Sequence, residues 1–168
     1  FDDVFLRWDT AYVFSKNEIH YDRISRAKTD RELIHKAEKE SKKTSDWWRE
    51  VGAVIVKDGK IVMSAFNRHV PSEYAPYAFG DPRDIIKAGE QSELASAMHA
   101  EQVLIARAAE EGISLRGTDI YLTTFPCPLC AKLIAFSGIR RCFIKGGHAS
   151  LDGEHVLRAR RVEIILVK

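Results

Sequence analysis

Strand-like and helix-like segments alternate along the chain between residues 51 and 167. The first two apolar runs, at residues 51–56 and 61–66, flank Lys-Asp-Gly-Lys, in which Asp-Gly supplies the positive φ of a tight hairpin turn. Elements that alternate in this way bury their apolar sides when helices cover both faces of one sheet. The order therefore predicts an α/β fold, a three-layer α/β/α sandwich with a mixed five-stranded sheet.

Helical periodicity and end signals predict where the helices lie. The capping-box sequence Thr-Asp-Arg-Glu begins a predicted helix over residues 29–43. A second helix is predicted over residues 93–111, and Gly112 ends it. The other predicted elements are strands at 118–124, 140–145 and 162–167, a helix at 127–137 and a short helix within 153–160.

Residues 67–92 interrupt this pattern with prolines, glycines and aromatic residues, which indicates a long irregular segment. Long loops in compact domains usually carry function, so this segment is a candidate for substrate recognition. Trp47 and Trp48, which come between the first helix and the first strand, are expected to seal the edge of those two elements.

Two short motifs contain residues that bind metal ions. His99-Ala-Glu101 lies in the helical pattern at 93–111, and Cys127 and Cys130 follow Pro126 at the start of the next predicted helix. Three protein ligands with a fourth position left to water are typical of a catalytic zinc site. Glu101 is too close to His99 to be a second ligand on the same helix face, but it is well placed to hydrogen-bond a metal-bound water and act as a proton shuttle.

If His99 opens one helix and the pair Cys127 and Cys130 opens the next, both helix N-termini face the metal, and their partial positive charge favours thiolate over thiol. A closed structural zinc site is the alternative, with His148 or His155 as its fourth ligand. The third cysteine, Cys142, lies in an apolar run and is expected to be a buried small residue rather than a ligand.

The combination of H-x-E with P-C-x-x-C is a signature of zinc-dependent base deaminases. The sequence resembles the cytidine and deoxycytidylate deaminase superfamily, and the likeness extends from about Thr29 to the C-terminus. The hairpin sequence Val-Gly-Ala-Val-Ile-Val, Asn67, and the run from Cys130 to Ile134 followed by Gly-Ile-Arg at 138–140 look most like the deoxycytidylate branch. The resemblance implies the three-layer fold, a Zn²⁺ cofactor, a small pyrimidine nucleotide as substrate and a homo-oligomer, either a dimer or a hexamer.

The resemblance also implies which residues contact the substrate. Asn67, directly after the second strand, is expected to contact the sugar or the base, and the backbone N–H of Ala100 is expected to contact the pyrimidine carbonyl. Arg68, His69, Ser72 or the Gly-Gly-His turn at 146–148 are candidate phosphate anchors. Candidates for stacking on the base are Phe66, Tyr74, Tyr77, Phe79 and, first among them, Phe125, each with a core position as the alternative.

The preferred reaction is the conversion of dCMP to dUMP with release of ammonia. The sequence departs from the deoxycytidylate branch, however, because Arg68 follows Asn67 where a glycine is common. A deaminase of tRNA or single-stranded DNA, and a deaminase of a free nucleoside or another cyclic amine, are the rival enzymes. Phe125 argues against a tRNA substrate, since it directly precedes Pro-Cys, where tRNA adenosine deaminases tend to carry glutamate. A non-catalytic zinc-binding module is disfavoured by the intact Glu101.

The composition suits one domain of ordinary globular type. A net charge of +2 and a pI near 8.4 lack the basic excess of an obligate nucleic-acid binder, so nucleic acid is not the favoured partner. Three cysteines, two of them at metal-ligand spacing, favour a reducing compartment, and the cytoplasm is the expected location. No run approaches the ~18 apolar residues of a membrane span, so no membrane partner is expected. The expected division is an N-terminal extension at residues 1–28, partly helical through Val4, Phe5, Trp8 and Tyr12, and a zinc-dependent deaminase domain at 29–168.

Overall fold

The computed structural model describes residues 18–86, 94–149 and 153–168. The expectation of helix through Val4, Phe5, Trp8 and Tyr12 lies outside these residues. The strands are β1 (Arg23–Ser25), β2 (Gly52–Lys57), β3 (Lys60–Phe66), β4 (Arg68–His69), β5 (Ala97–Met98), β6 (Asp119–Leu122), β7 (Arg141–Ile144) and β8 (Glu163–Val167). The helices are α1 (Lys28–Ser41), α2 (Ala75–Phe79), α3 (Ala100–Glu110), α4 (Pro128–Phe136) and α5 (Gly153–Ala159), with a 3₁₀ turn at Pro82–Asp84.

The main sheet has six strands in the order β1-β8-β7-β6-β2-β3. The hairpin β2–β3 is antiparallel and β2 joins β6 antiparallel, whereas β6, β7, β8 and β1 run parallel to one another. The mixed sheet confirms the predicted fold class, but the predicted number of five strands is wrong by one. The extra strand is β1, which comes from the segment expected to be an extension and pairs with β8.

Helices cover both faces of this sheet, as the alternating pattern predicts. On one face α1 buries Ile34 and Ala37 against a small cluster that includes Tyr121 and Phe143, whose rings stack at 4.2 Å. On the other face α3, α4 and α5 bury the larger core around Leu104, with Ile134 and Leu157 contributed by the two later helices. The site residues belong to this second layer.

Helix α1 approaches β2 most closely at Gly52. A Cβ atom at this position would lie 1.9 Å from the carbonyl oxygen of Ala37, so only glycine lets the helix pack directly on the strand. The predicted hairpin turn is also present, because Asp58 and Gly59 both have positive φ and Lys57 pairs with Lys60 across a two-residue loop.

The predicted start of the second long helix at residue 93 is wrong. The helix begins at Ala100, because His99 is extended with ψ of 153° and Ala97 and Met98 pair with β4 as strand β5. The apolar residues before His99 fit helical spacing, but pairing with Arg68 and His69 gives their backbone another set of hydrogen bonds. This pairing ties the segment after Asn67 to the start of α3.

The segment predicted to be irregular contains several short elements in its described part, namely β4, α2 and the 3₁₀ turn. Residues 87–92 of that prediction lie outside the described residues. None of the helices in the described residues has the length and apolar content that a bilayer span requires.

Candidate zinc and deaminase site

The first motif lies at the N-terminus of α3. His99 occupies the position before the helix, and its N–H donates to the Gln102 side chain at 2.8 Å while its carbonyl accepts from the N–H of Val103 at 2.9 Å. These two bonds fix the backbone of His99 on both sides. Ala100 is the first helical residue, so its N–H has no acceptor within the helix.

The second motif lies at the N-terminus of α4. Cys127 precedes the helix, Pro128 occupies the first turn, where its missing N–H costs nothing, and the N–H of Cys130 points at the Cys127 sulfur at 3.5 Å. The loop before Cys127 is anchored by the N–H of Phe125, which donates to the Gly146 carbonyl at 2.8 Å. Both motifs therefore begin helices, as the sequence predicts for α4.

The two motifs bring three ligand atoms together. The Nδ1 atom of His99 lies 3.5 Å from the Cys127 sulfur and 3.4 Å from the Cys130 sulfur. Zinc at ~2.0 Å from nitrogen and ~2.3 Å from sulfur in tetrahedral geometry separates such ligand atoms by roughly 3.5 Å. The distances and the donor set of one imidazole and two thiols therefore fit a zinc ion.

The pKa values of the three groups respond to their mutual contact. Hydrogen bonding to Cys130, followed by the contact with His99, lowers the pKa of Cys127 to about 4, and the contact with Cys127 raises the pKa of His99. Hydrogen bonding to Cys127 and burial raise the pKa of Cys130. Zinc binds cysteine as the thiolate, so zinc binding to this cluster should release protons.

Glu101 lies directly beside this cluster, on the first turn of α3. The residue is 2% exposed, and its Oε2 atom has no hydrogen-bond partner among the described residues. Burial raises the pKa of this carboxyl, while the nearby charge of His99 opposes the rise. An unpartnered buried carboxylate oxygen is costly, so its presence beside three metal-binding atoms indicates a place for a polar molecule.

The closed four-ligand alternative receives no support from this geometry. Within the described residues, the only group of three or more His, Cys, Asp or Glu side chains at metal-binding distance is His99, Cys127 and Cys130. His148 and His155 are both exposed and outside that group. Cys142 is fully buried on β7, as its apolar surroundings predict.

Comparison with known proteins identifies the family. The family described as the cytidine and deoxycytidylate deaminase zinc-binding region matches residues 27–145. The chain belongs to this family. It is accordingly a zinc-dependent hydrolase that removes an amino group by cleaving a C–N bond.

Individual relatives of the deaminase differ in substrate. Deoxycytidylate deaminase of Enterobacteria phage T4 is 30% identical over 148 residues, covering 69% of this chain and 75% of that protein. A chloroplastic tRNA(adenine(34)) deaminase of Arabidopsis thaliana is also 30% identical, over 135 residues, but the match covers 79% of this chain and 8% of that protein. The solved dCMP deaminase from cyanophage S-TIM5, in complex with dCMP and dUMP, shares the fold with a TM-score of 0.65, at 23% identity over 86% of this chain and 99% of that one.

Asn67 of the deaminase lies near the site but has protein partners for its whole side chain. Its Oδ1 accepts from the N–H of Val51 at 2.8 Å, and its Nδ2 donates to the Arg49 carbonyl at 2.9 Å and to Asp46 at 3.2 Å. The predicted contact of Asn67 with the sugar or base therefore stays a prediction, and the observed contacts hold the loop before β2.

Two other predicted substrate contacts also have protein partners in the deaminase. The Arg68 guanidinium pairs with Glu73 at 3.2 Å, and the same carboxylate accepts from Ser45 at 2.7 Å. Phe125 is 5% exposed and packs in the core beside Gly153 and Ala131. A ring buried to this extent packs beneath the loop that carries Cys127 and exposes little surface on which a base could stack.

The sequence reasoning missed a buried polar network beside the site. Asp46 accepts from Asn67 and pairs with Arg83 at 2.9 Å, and Arg83 in turn pairs with Asp81 at 2.6 Å. The expectation that Trp47 seals an edge is wrong, because Trp47 is 72% exposed. No periodicity or spacing could have found the contacts of Asp46 with Asn67 and Arg83, since they join residues far apart in sequence.

Proposed function

We propose that this deaminase converts dCMP to dUMP, with one water consumed and one ammonia released. The observation that carries the chemistry is the buried Glu101 carboxylate, whose free Oε2 lies beside three metal-binding atoms. The preference for deoxycytidylate is supported by the family and by the phage T4 relative, which matches 69% of the chain.

In this proposal His99, Cys127 and Cys130 hold the zinc ion. When bound, zinc supplies a water acidified enough to attack the ring carbon that carries the amino group. Glu101 would accept one proton of that water at Oε2 and deliver it to the neighbouring ring nitrogen; it would then move the remaining proton of the added hydroxyl to the amino group, so that the C–N bond breaks, ammonia leaves and the carbonyl C=O bond forms.

The base would be oriented by backbone as well as side-chain groups. The N–H of Ala100 starts α3 without an acceptor in the helix, and it lies between His99 and Glu101. We propose that it donates to the pyrimidine carbonyl. The partial positive charge of the helix N-terminus would favour the electron density that builds on that oxygen.

A nucleic-acid substrate is the second candidate, since a tRNA deaminase is among the relatives. The net charge of +2 is small for a protein that must follow a polyanionic backbone. The two candidates differ in a measurable way, because strand binding weakens steeply with salt whereas turnover of a free monophosphate does not.

The deciding experiment compares substrates directly. The zinc-loaded protein is incubated with cytosine, cytidine, deoxycytidine, their monophosphates, single-stranded DNA and tRNA, and ammonia and deaminated product are measured. We expect the highest kcat/KM for dCMP. Turnover confined to DNA, tRNA or unphosphorylated nucleosides would exclude the proposed substrate, and Glu101→Gln protein with bound zinc provides the blank.

The proposal also covers the oligomeric state of the protein and its location in the cell. We expect a homo-oligomer, a dimer or a hexamer, and exposed apolar side chains in the segment after β4 offer a surface for it, among them Tyr74, Phe79 and Ile85. Sedimentation equilibrium of the full chain tests this expectation, and a monomer at micromolar concentration would contradict it. The cytoplasmic location suggested by cysteine usage stays a prediction.

A further inference from the structure

A groove lies on the loop between α1 and β2, lined by residues 44–50 and Tyr77, with a volume of about 560 Å³. Volumes of ~300–1,000 Å³ are typical of small-ligand sites. Trp47 and Tyr77 form one wall, with ring centroids 5.0 Å apart and nearly perpendicular rings. The indole N–H of Trp47 donates to the Tyr77 hydroxyl at 3.0 Å, which leaves the hydroxyl proton available to an acceptor in the groove.

The charged groups of this groove are paired, with one exception. Asp46 pairs with Arg83, and Glu50 pairs with Lys42. Arg49 is exposed, and no acidic side chain among the described residues lies within ion-pair distance of it. The groove therefore presents one uncompensated positive charge between aromatic side chains.

The backbone of Arg49 is held firmly although its side chain is exposed. Its N–H donates to Asp46 at 3.3 Å, and its carbonyl accepts from Asn67 at 2.9 Å. Both partners are buried. An arginine whose backbone is fixed on both sides loses less conformational freedom when its guanidinium binds an anion.

We propose that Arg49 binds the 5′-phosphate of the nucleotide substrate in this groove and that the Tyr77 hydroxyl donates a second hydrogen bond to it. The proposal rests on the proposed dCMP deaminase function and names the residue that distinguishes the nucleotide from the nucleoside. Arginine suits a phosphate because its planar donors match two phosphate oxygens at once.

The groove lies at the same edge of the sheet as the segment that leads to Cys127, because Gly52, two residues after the groove, donates its N–H to the Thr123 hydroxyl at 3.1 Å. Asn67, which holds the Arg49 carbonyl, directly precedes β4, and the β4 residue Arg68 pairs with Met98, the neighbour of His99. A nucleotide with its base at Glu101 would therefore have its phosphate directed toward this side of the site.

Arg68, the anchor suggested by the sequence, is less suited to this role. Its guanidinium pairs with Glu73, whose other oxygen accepts from Ser45, so a phosphate would have to displace a carboxylate that is already held in place. Arg49 has no such competitor among the described residues. The electrostatic cost of bringing in a dianion is correspondingly lower at Arg49.

A single free cation matches a monophosphate better than a nucleic acid strand. Strand binding grooves place several Lys or Arg side chains along the backbone path, together with aromatic rings for successive bases. This groove has the aromatic rings but one unpaired cation. A free nucleotide is therefore the favoured ligand, and single-stranded DNA becomes an outcome that the test can detect.

The test compares Arg49→Ala, Arg49→Lys and Tyr77→Phe with wild type on dCMP and deoxycytidine. We expect Arg49→Ala to raise the KM for dCMP about 10- to 100-fold, the loss expected for charge-assisted hydrogen bonds, with kcat and the deoxycytidine parameters changed by less than about threefold. Arg49→Lys should recover part of the loss, and Tyr77→Phe should show a smaller selective effect. Inhibition by inorganic phosphate should weaken in parallel.

Arg116→Ala is the matched control, because Arg116 is an exposed arginine before β6, at the opposite end of that strand from the Cys127 loop. Wild-type turnover of dCMP with an unchanged KM in Arg49→Ala would overturn this inference alone. A selective loss in Arg68→Ala instead would also overturn it. Wild type that deaminates no dCMP would overturn both proposals, and salt-sensitive binding of single-stranded DNA that Arg49→Ala weakens would replace the monophosphate with a strand.

Discussion

Two neighbouring regions of the molecule are held in position in different ways. The zinc cluster is positioned by backbone, because His99 and Cys127 occupy the residues before two helices that pack on one sheet face. The groove beside it is positioned by buried side chains, through a network that runs from Asn67 to Asp46 and from Arg83 to Asp81. We call these four residues the Asp46 network.

This difference separates chemistry from recognition. Helix N-termini are rigid and point their donors and partial charge at the metal site, so they suit a reaction that is the same throughout the family. A network of side chains shapes a loop without fixing its sequence, so the loop can change with the substrate. Substitutions in the zinc cluster should abolish turnover, whereas substitutions in the groove should alter the stability of the fold and the selectivity between substrates.

The largest effect is expected from removing a zinc ligand. Cys130→Ala leaves two ligands, so bound zinc and deaminase activity should both fall below detection while the fold persists. Metal analysis after dialysis and the ammonia assay measure the two quantities. Cys142→Ala is the matched control, since it removes an equally buried thiol outside the cluster and should retain zinc and activity. Activity without zinc in Cys130→Ala would contradict the assigned ligand set.

The next largest effect is expected from Glu101→Gln, which keeps the shape but cannot shuttle a proton. We expect kcat to fall by about 10²- to 10⁴-fold at unchanged zinc content. Glu110→Gln, on the exposed end of the same helix, should have wild-type activity. A Glu101→Gln protein that retained full turnover would require another group to carry the protons.

The sequence predicts the first region well because its information is local. The spacing of Cys127 and Cys130 and Pro126 before them indicate a helix start, and alternating strands and helices indicate the layers that carry it. Even there, the start of α3 is misjudged, since the apolar residues before His99 continue the helical spacing. Only the pairing of Ala97 with His69, which involves residues far apart in sequence, shows that they form a strand.

The second region could not be predicted in this way. The resemblance predicts a substrate contact for Asn67, which stays a prediction, but nothing in the sequence indicates that its hydrogen bonds join residues on either side of Glu50. The exposure of Trp47 has the same origin, because the loop that carries it is shaped by Asp46 and Arg83. Contacts of this kind leave no periodic signal and become visible only when the chain is folded.

A smaller effect, confined to the second region, is expected from Asn67→Ala. The substitution removes the hydrogen bonds to the Val51 N–H and the Arg49 carbonyl, both partly buried, each of which contributes about 0.5–1.5 kcal/mol. We therefore expect the free energy of unfolding in urea to fall by about 1–3 kcal/mol, with zinc content retained. The kcat/KM for dCMP should fall more than that for deoxycytidine, because Arg49 loses its support. Equal losses on both substrates would favour the direct contact with sugar or base that the resemblance implies.

The smallest effect is expected at the far end of the Asp46 network and depends on pH. Hydrogen bonds from Arg83, against an opposing effect of burial, lower the pKa of Asp81 from its ordinary value. A lowered folded pKa means that ionised Asp81 stabilises the fold above its unfolded pKa of about 3.9, and that this stability is lost as the pH falls through the lower folded value. Asp81→Asn should therefore be less stable than wild type by about 1–3 kcal/mol near pH 7. The difference should shrink steadily below about pH 4.

Urea unfolding of both proteins across this pH range gives the measurement, and Asp84→Asn in the adjacent turn serves as the control for a lost charge. Asp84 forms no ion pair among the described residues, so its substitution should leave the stability nearly unchanged at every pH. A stability difference for Asp81→Asn that stayed constant down to pH 2 would mean that the carboxylate charge does not stabilise the network. The groove would then be held by packing and uncharged hydrogen bonds, and its position, like that of the zinc cluster, would not depend on a charged side-chain pair.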